Sequence, residues 1–197
     1  GGLYMLSAQA VHAAAVFQDI PPDESLVDKA FNSVKNDKQN IVLIGMPSSG
    51  KTTVGKILAE KCGKELADTD EYIVKKIGMP IADFFAKFGE AEFRKIEKET
   101  AASLSATGGK VIATGGGAVL DPENVRALKH NGVLVFLDRR PENLIATDDR
   151  PLASRRSAIE KLYAERYDIY CAAAEVHIDA NTTPEAEADA ILKELTK

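Results

Sequence analysis

From residue 40 onward, two kinds of pattern alternate along the chain. Short unbroken apolar runs end in glycine or aspartate: NIVLIG (40–45), KVIATGGG (110–117) and GVLVFLD (132–138). Runs this short, bounded by turn residues, read as strands buried on both faces. Between them lie stretches with helical spacing. TTVGKILAEKCG (52–63) stops at a glycine, a second helix opens at Asp121 and Pro122 and runs to Lys129, and TPEAEADAILKEL (183–195) closes the chain. EVHID (175–179) is a further strand candidate, and LAD (66–68) a shorter one. Strands separated by helices predict βαβ units: an α/β fold with a parallel sheet covered on both faces.

The first 40 residues follow a different pattern. Residues 3–18 form one helical stretch, with Leu3, Leu6, Ala10, Val11, Ala14 and Phe17 on one side. IPPDE is a breaker cluster and NSVKNDKQN is polar, so residues 20–40 read as a linker or a short helix. The expected division is an N-terminal helical extension and linker over 1–36, then a compact domain over 37–197. With 197 residues and 45% apolar content, the chain holds enough material for one such core.

Charge and cysteines narrow the function classes. A net charge of −5 argues against a broad basic surface for nucleic acid, so any anion site must be local. No window reaches the ~18 consecutive apolar residues of a membrane span, and no membrane partner is expected. The first basic residue is Lys29, which leaves the start without the charges of a signal or transit peptide. Cys62 and Cys171 are the only cysteines, a count that suits a reduced, cytoplasmic protein.

The strongest chemical signal is GMPSSGKTT (45–53), which fits G-x-x-x-x-G-K-[ST] between a strand and a helix. Its glycines let backbone N–H groups turn inward onto phosphate oxygens, and the helix N-terminus adds a positive end. The expected nucleotide-binding set is Gly45, Ser48, Ser49, Gly50, Lys51, Thr52 and Thr53. Lys51 reaches the β- and γ-phosphates, and Thr52 ligates Mg²⁺. A chance glycine-rich turn is the bland alternative, and four matched positions in this setting weigh against it.

Three downstream motifs bear on the acceptor. ADTDEYI (67–73) places Asp68 and Asp70 after a strand, where carboxylates can hold a hydrated Mg²⁺ and take a hydroxyl proton. On its own, that pair reads better as a helix cap. GEAEFRKIEKE (89–99) is a charged helix, by default a solvated face. Within it, Arg94 and Glu97 share one side, so Glu97 can orient a guanidinium suited to a carboxylate. ATGGGAV (113–119) sets three glycines after a strand, a sequence suited to close backbone approach by a ligand.

Taken together, GMPSSGKTT, DTD, GEAEFR, ATGGGA and RPL resemble the shikimate kinase family in order and spacing over residues 40–197. The resemblance implies a P-loop kinase fold of the nucleoside monophosphate kinase type: a five-stranded parallel sheet flanked by helices, with a substrate-binding helical region and a lid at about 147–156. It implies ATP-dependent phosphorylation of the shikimate 3-hydroxyl, on the route to chorismate and the aromatic amino acids. By resemblance, Asp70 binds the accepting hydroxyl and serves as base, and Asp68 is a water-mediated Mg²⁺ partner. Arg94, supported by Glu97, and Arg166 hold the shikimate carboxylate. Gly115, Gly116 and Gly117 form a backbone wall, Phe85 and Phe93 match apolar pocket positions, and Arg150 is the lid arginine that closes on the transferring phosphate. Two departures stand out: Ala146 where the family usually carries an arginine, and Ala153 in place of the second leucine of RPLL. Arg155 or Arg156 is a candidate to compensate.

GGLYMLSAQAVHAAAVFQ (1–18) lies outside this pattern and is similar to the last helix of shikimate dehydrogenase. With a start at Gly-Gly rather than Met, the expectation is a fragment of a fused dehydrogenase–kinase polypeptide. Its apolar stripe is then free to mediate a chain-to-chain contact or to swing away. Two other functions remain to be separated: a gluconate or nucleotide kinase on the same fold, and a non-catalytic nucleotide-binding module. A nucleotide acceptor has no need of a glycine wall with two carboxylate-binding arginines, and intact Lys51, Thr52, Asp70 and Arg150 argue for catalysis.

Overall fold

NIVLI forms a strand in which every residue is buried, and its side chains leave alternately for the two faces. Ile41 and Leu43 enter one core, Val42 and Ile44 the other. The computed structural model describes residues 2–144 and 152–196, the side chains of 152–155 excepted. In chain order the elements are α1 (Gly2–Gln18), α2 (Glu24–Lys38), β1 (Asn40–Ile44), α3 (Lys51–Cys62), β2 (Glu65–Asp68), α4 (Thr69–Ile77), α5 (Ile81–Ser105), β3 (Lys110–Ala113), α6 (Pro122–His130), β4 (Gly132–Asp138), α7 (Leu152–Ala173), β5 (Val176–Asp179) and α8 (Pro184–Leu195).

The five strands make one parallel sheet in the order β2-β3-β1-β4-β5. Val54, Leu58 and Ala59 of α3 and Ala188 and Ile191 of α8 pack with Leu43, Val135 and Leu137 on one face. On the other, Ala101 and Leu104 of α5, Leu128 of α6 and Tyr170 of α7 pack with Ile44, Ile112 and Phe136. Each fully buried Leu, Ile or Phe contributes about 1.5–3 kcal/mol, so this two-sided burial dominates the stability of the domain. Because all strands run the same way, their C-terminal ends open on one edge, where ligands of such sheets bind.

Local chemistry sets the helix boundaries near that edge. Asp68 caps α4, Asp121 caps α6 with Pro122 in the first turn, and Thr183 caps α8 with Pro184 in the first turn. α3 starts after Gly50 and stops at Gly63, both in left-handed backbone. The helix expected over 89–99 is the middle of the longer α5. Gly89, at φ 80° and ψ 173°, interrupts that helix, so a new helical run does begin there. α7, a 22-residue helix, carried no clear apolar period in the sequence. Among the described residues no helix is long and apolar enough to cross a membrane.

Contacts divide the chain into two units, Gly1–Gln39 and Asn40–Lys197. In the first, the segment read as a linker or short helix is the 15-residue α2, opened by Asp23 accepting from the Ser25 N–H. α1 and α2 pair, with Tyr4 edge-on to Phe31 at 5.4 Å and its hydroxyl donating to Asp28. On α1 the buried residues are Ser7 and Ala15, while the stripe is exposed at Leu3, Leu6, Ala10, Ala14 and Phe17. Of that stripe Leu6 is 60% and Phe17 91% exposed.

Candidate active site

The loop after β1 curls because glycine stands where a side chain cannot. A Cβ on Gly45 (φ +151°) would lie 2.9 Å from the Leu137 carbonyl oxygen. Lys51 folds back into this loop, and its Nζ donates to the Gly45 carbonyl at 2.9 Å, the Met46 carbonyl at 2.7 Å and Ser49 Oγ at 3.3 Å. Burial lowers the Lys51 pKa to about 8, against the opposing pull of Asp70 and Asp68. In this state its ammonium is held by the loop that would cradle phosphate.

Asp68 has two tasks at once. Its Oδ1 accepts the Asp70 and Glu71 N–H groups at 2.9 and 3.3 Å, capping α4, while Oδ2 accepts the Thr52 hydroxyl at 2.6 Å. The capping reading of this residue holds, and its second oxygen faces Thr52. Asp70 opens onto the cavity, yet the surrounding protein strips part of its hydration and raises its pKa. The Asp68 carboxylate adds to the rise and Lys51 opposes it. The cavity is about 480 Å³, and its lining includes Pro47, Lys51, Thr52, Asp68, Asp70 and Gly116.

The three glycines earn their places by space, each against a different partner. A Cβ on Gly115 would lie 2.7 Å from Asp70 Oδ1, and one on Gly116 2.7 Å from the Pro47 ring. One on Gly117 would run into the Arg94 guanidinium. A single backbone strip therefore touches the carboxylate, the phosphate loop and the arginine. The Gly115 N–H donates to the Thr69 hydroxyl at 2.8 Å, which ties the strip to the start of α4.

Arg94 is fixed by two carboxylates of its own helix. Its Nη1 donates to Glu97 at 2.7 Å, and its Nε and Nη2 donate to Glu90 at 3.2 and 2.8 Å. Phe93 is buried in a small satellite core with Ile73 and Phe84. Its ring lies 4.5 Å from that of Phe85 and 5.7 Å from the Arg94 guanidinium carbon. Arg166, on α7, donates from Nη1 to the Gly116 carbonyl at 3.1 Å.

Ala146 and residues 147–151 of the lid segment, Arg150 among them, lie outside the described residues, as does the Arg155 side chain. Arg156 pairs on the surface with Glu160 at 3.0 Å. Sequence reading did not single out Thr69, Glu90 or Tyr170. Glu90 alone carried a signal, since it stands four residues before Arg94. It also passed over Arg139, whose guanidinium ion-pairs with the fully buried Glu187 at 2.9 Å and packs over Gly50. A second cavity of about 410 Å³ lies at the ends of β4 and β5, lined by Asp138, Arg140, Tyr163, His177 and Asn181 among others.

Comparison with known proteins places this arrangement. Residues 47–196 match the family model described as shikimate kinase. The shikimate kinase of Thermodesulfovibrio yellowstonii is 43% identical over 165 residues, covering 79% of this chain and 94% of that protein. That of Moorella thermoacetica is 40% identical over 161 residues, covering 79% and 91%. The solved structure of shikimate kinase from Acinetobacter baumannii in complex with shikimate superposes with a TM-score of 0.77 at 32% identity, covering 84% of this chain and 97% of that one. The crystal structure of shikimate kinase from Aquifex aeolicus vf5 gives 0.70 at 36% identity, covering 80% and 96%. On this match of sequence and fold, the chain belongs to the shikimate kinase family.

Proposed function

We propose that this chain transfers the γ-phosphoryl group of ATP to the 3-hydroxyl of shikimate, giving shikimate 3-phosphate and ADP. The observation that carries the reading is the Gly115–Gly117 strip, which brings Asp70, the phosphate loop and Arg94 to one place. A small hydroxylated carboxylate matches those three neighbours: its anionic end meets Arg94 and Arg166, and its hydroxyl meets Asp70. The acceptor oxygen attacks the γ-phosphorus, the bond to the bridging oxygen of ADP breaks, and the hydroxyl proton passes to the Asp70 carboxylate. A raised Asp70 pKa makes that carboxylate a better proton acceptor. Lys51 leaves its loop carbonyls to face the β- and γ-phosphates, and Arg150 supplies further positive charge from the lid.

The sheet order also orients the nucleotide. The acceptor side is built after β2 and β3 and the phosphate loop follows β1, so the nucleoside extends toward β4 and β5, where the second cavity lies. Thr52 and Asp68 present hard oxygens 2.6 Å apart, a donor set that suits Mg²⁺ completed by water and phosphate oxygens. When bound there, the ion neutralises charge on the β- and γ-phosphates. The unpaired thiols of Cys62 and Cys171 fit a cytoplasmic setting.

Residues 1–36 stand apart from this chemistry. The resemblance of residues 1–18 to the last helix of shikimate dehydrogenase supports a fused polypeptide. The relatives are covered almost end to end by less than four-fifths of this chain, which supports a kinase that works without them.

Coupled ADP release tests the reading, with shikimate, gluconate and AMP offered in parallel. Shikimate alone is expected to stimulate release well above the rate with water. Equal rates with shikimate and with water would refute the assignment, and stimulation by gluconate or AMP would name a different kinase.

A further inference from the structure

One carbonyl of the glycine strip holds two donors. The Gly116 oxygen accepts the Tyr170 hydroxyl at 2.5 Å and Arg166 Nη1 at 3.1 Å. Both donors come from α7, one turn apart, so they reach the strip side by side. They differ in freedom. Tyr170 is 1% exposed, with its ring stacked on Phe136 of β4 at 5.2 Å and 13°, whereas Arg166 is only partly buried and ends in a long flexible side chain.

We propose that Tyr170 is a positioning residue for acceptor capture, holding the Gly116 carbonyl so that Arg166 can leave it. The proposal rests on the reading of Arg166 as an anchor for the shikimate carboxylate. If Arg166 were the sole donor, each capture of acceptor would strip a partly buried carbonyl of its partner, an unfavourable change. With Tyr170 in place the carbonyl stays satisfied throughout. The peptide is planar, so fixing the Gly116 oxygen also fixes the Gly117 N–H, which points away from Tyr170. Arg166 thus exchanges one acceptor for another while the wall keeps its shape.

Steady-state kinetics on Tyr170→Phe test this, because the ring and its stacking on Phe136 are kept and only the donor is lost. The shikimate KM is expected to rise about tenfold, the scale set by leaving one polar group unsatisfied, while the ATP KM stays at the wild-type value. Placing 4-aminophenylalanine at position 170 restores a donor and should bring the shikimate KM back. Placing 4-fluorophenylalanine there fills the space without donating and should not. That pair makes the same comparison if Tyr170→Phe fails to fold. Arg166→Leu separates the two layers of the argument. If it leaves the shikimate KM unchanged, the anchor reading of Arg166 is wrong. If it raises that KM while neither Tyr170→Phe nor 4-fluorophenylalanine does, the positioning role is overturned. A parallel rise in ATP KM with a fall in melting temperature would overturn it too, showing a general structural part for Tyr170.

Discussion

Glu97 carries Arg94. The two lie one turn apart on α5, with Nη1 donating to Oε2 at 2.7 Å, and the Glu97 side chain is only 4% exposed against 28% for Arg94. Burial raises the Glu97 pKa although the arginine pulls the other way. A carboxylate so poorly hydrated depends on its partner, and Glu90 closes the opposite side of the guanidinium at 2.8 Å. The arginine is therefore rigid before any acceptor arrives, so less order is lost on binding.

Arg94→Lys should then weaken shikimate binding although the charge is kept. An ammonium cannot serve Glu90, Glu97 and an incoming carboxylate with the geometry of a planar fork. Loss of such a contact costs about 2–5 kcal/mol, a rise in shikimate KM of at least roughly thirtyfold. Calorimetric titration with shikimate reads this directly, and unchanged affinity would place Arg94 outside the site.

Asp70→Asn should lower kcat by roughly 10²–10⁴ and leave ATP affinity nearly intact. The amide keeps the shape and the contact with the strip at Gly115 but cannot take the hydroxyl proton. Single-turnover kinetics at saturating shikimate check it; near-normal turnover would remove Asp70 from the role of base.

Both of these residues were legible in the sequence, and the reasons they were are instructive. The phosphate loop, DTD and the arginine helix announce themselves because phosphate and carboxylate chemistry need particular residue types at fixed spacing. The glycine triplet was visible too, but its cause was not. Only the fold shows that Gly115, Gly116 and Gly117 yield space to Asp70, Pro47 and Arg94 in turn. Tyr170 and the Arg139–Glu187 pair were hidden, because their partners lie 54 and 48 residues away in sequence. α7 escaped because Tyr163, Tyr167 and Cys171 pack against the core as half-polar residues that blur an apolar period. α2 was open between a linker and a short helix for the reverse reason: its buried residue is Val27 alone, and its end is polar.

The two pKa shifts fix the shape of the pH profile. Lys51 is protonated below about 8 in the free enzyme, against an ordinary 10.5. Between those values the unfolded chain binds a proton that the fold does not, so this group makes stability rise with pH across that window. Nucleotide capture runs the opposite way, because phosphate needs the ammonium. kcat/KM for ATP should fall as pH rises through about 8. Asp70 has the reverse sign: its carboxylate is needed, its pKa is raised, and kcat should fall on acidification at a pH above the usual aspartate range. A profile for ATP flat to pH 10 would show that Lys51 keeps its charge throughout.

The last test concerns the helical pair Gly1–Gln39. Val16 is 80% and Phe17 91% exposed, Leu6 60%, and Met5 59%. Scattered apolar residues on a surface need no explanation, but four large ones so exposed on one 17-residue helix leave apolar area open to a partner. The kinase chemistry begins only at Gly45, and the family match begins at residue 47. The exposed apolar residues of α1 offer a contact to a second copy of the chain. Removing residues 1–36 is therefore expected to leave shikimate phosphorylation unchanged while any self-association weakens. Sedimentation velocity and coupled ADP release on the same two preparations measure both effects. Phe17→Ser should reproduce the loss of association without the truncation, because deleting the ring removes most of the apolar area of the most exposed of these residues. A truncated chain that unfolds, or that loses most of its activity, would show that the helical pair is integral to the kinase and that the boundary near residue 36 is misplaced.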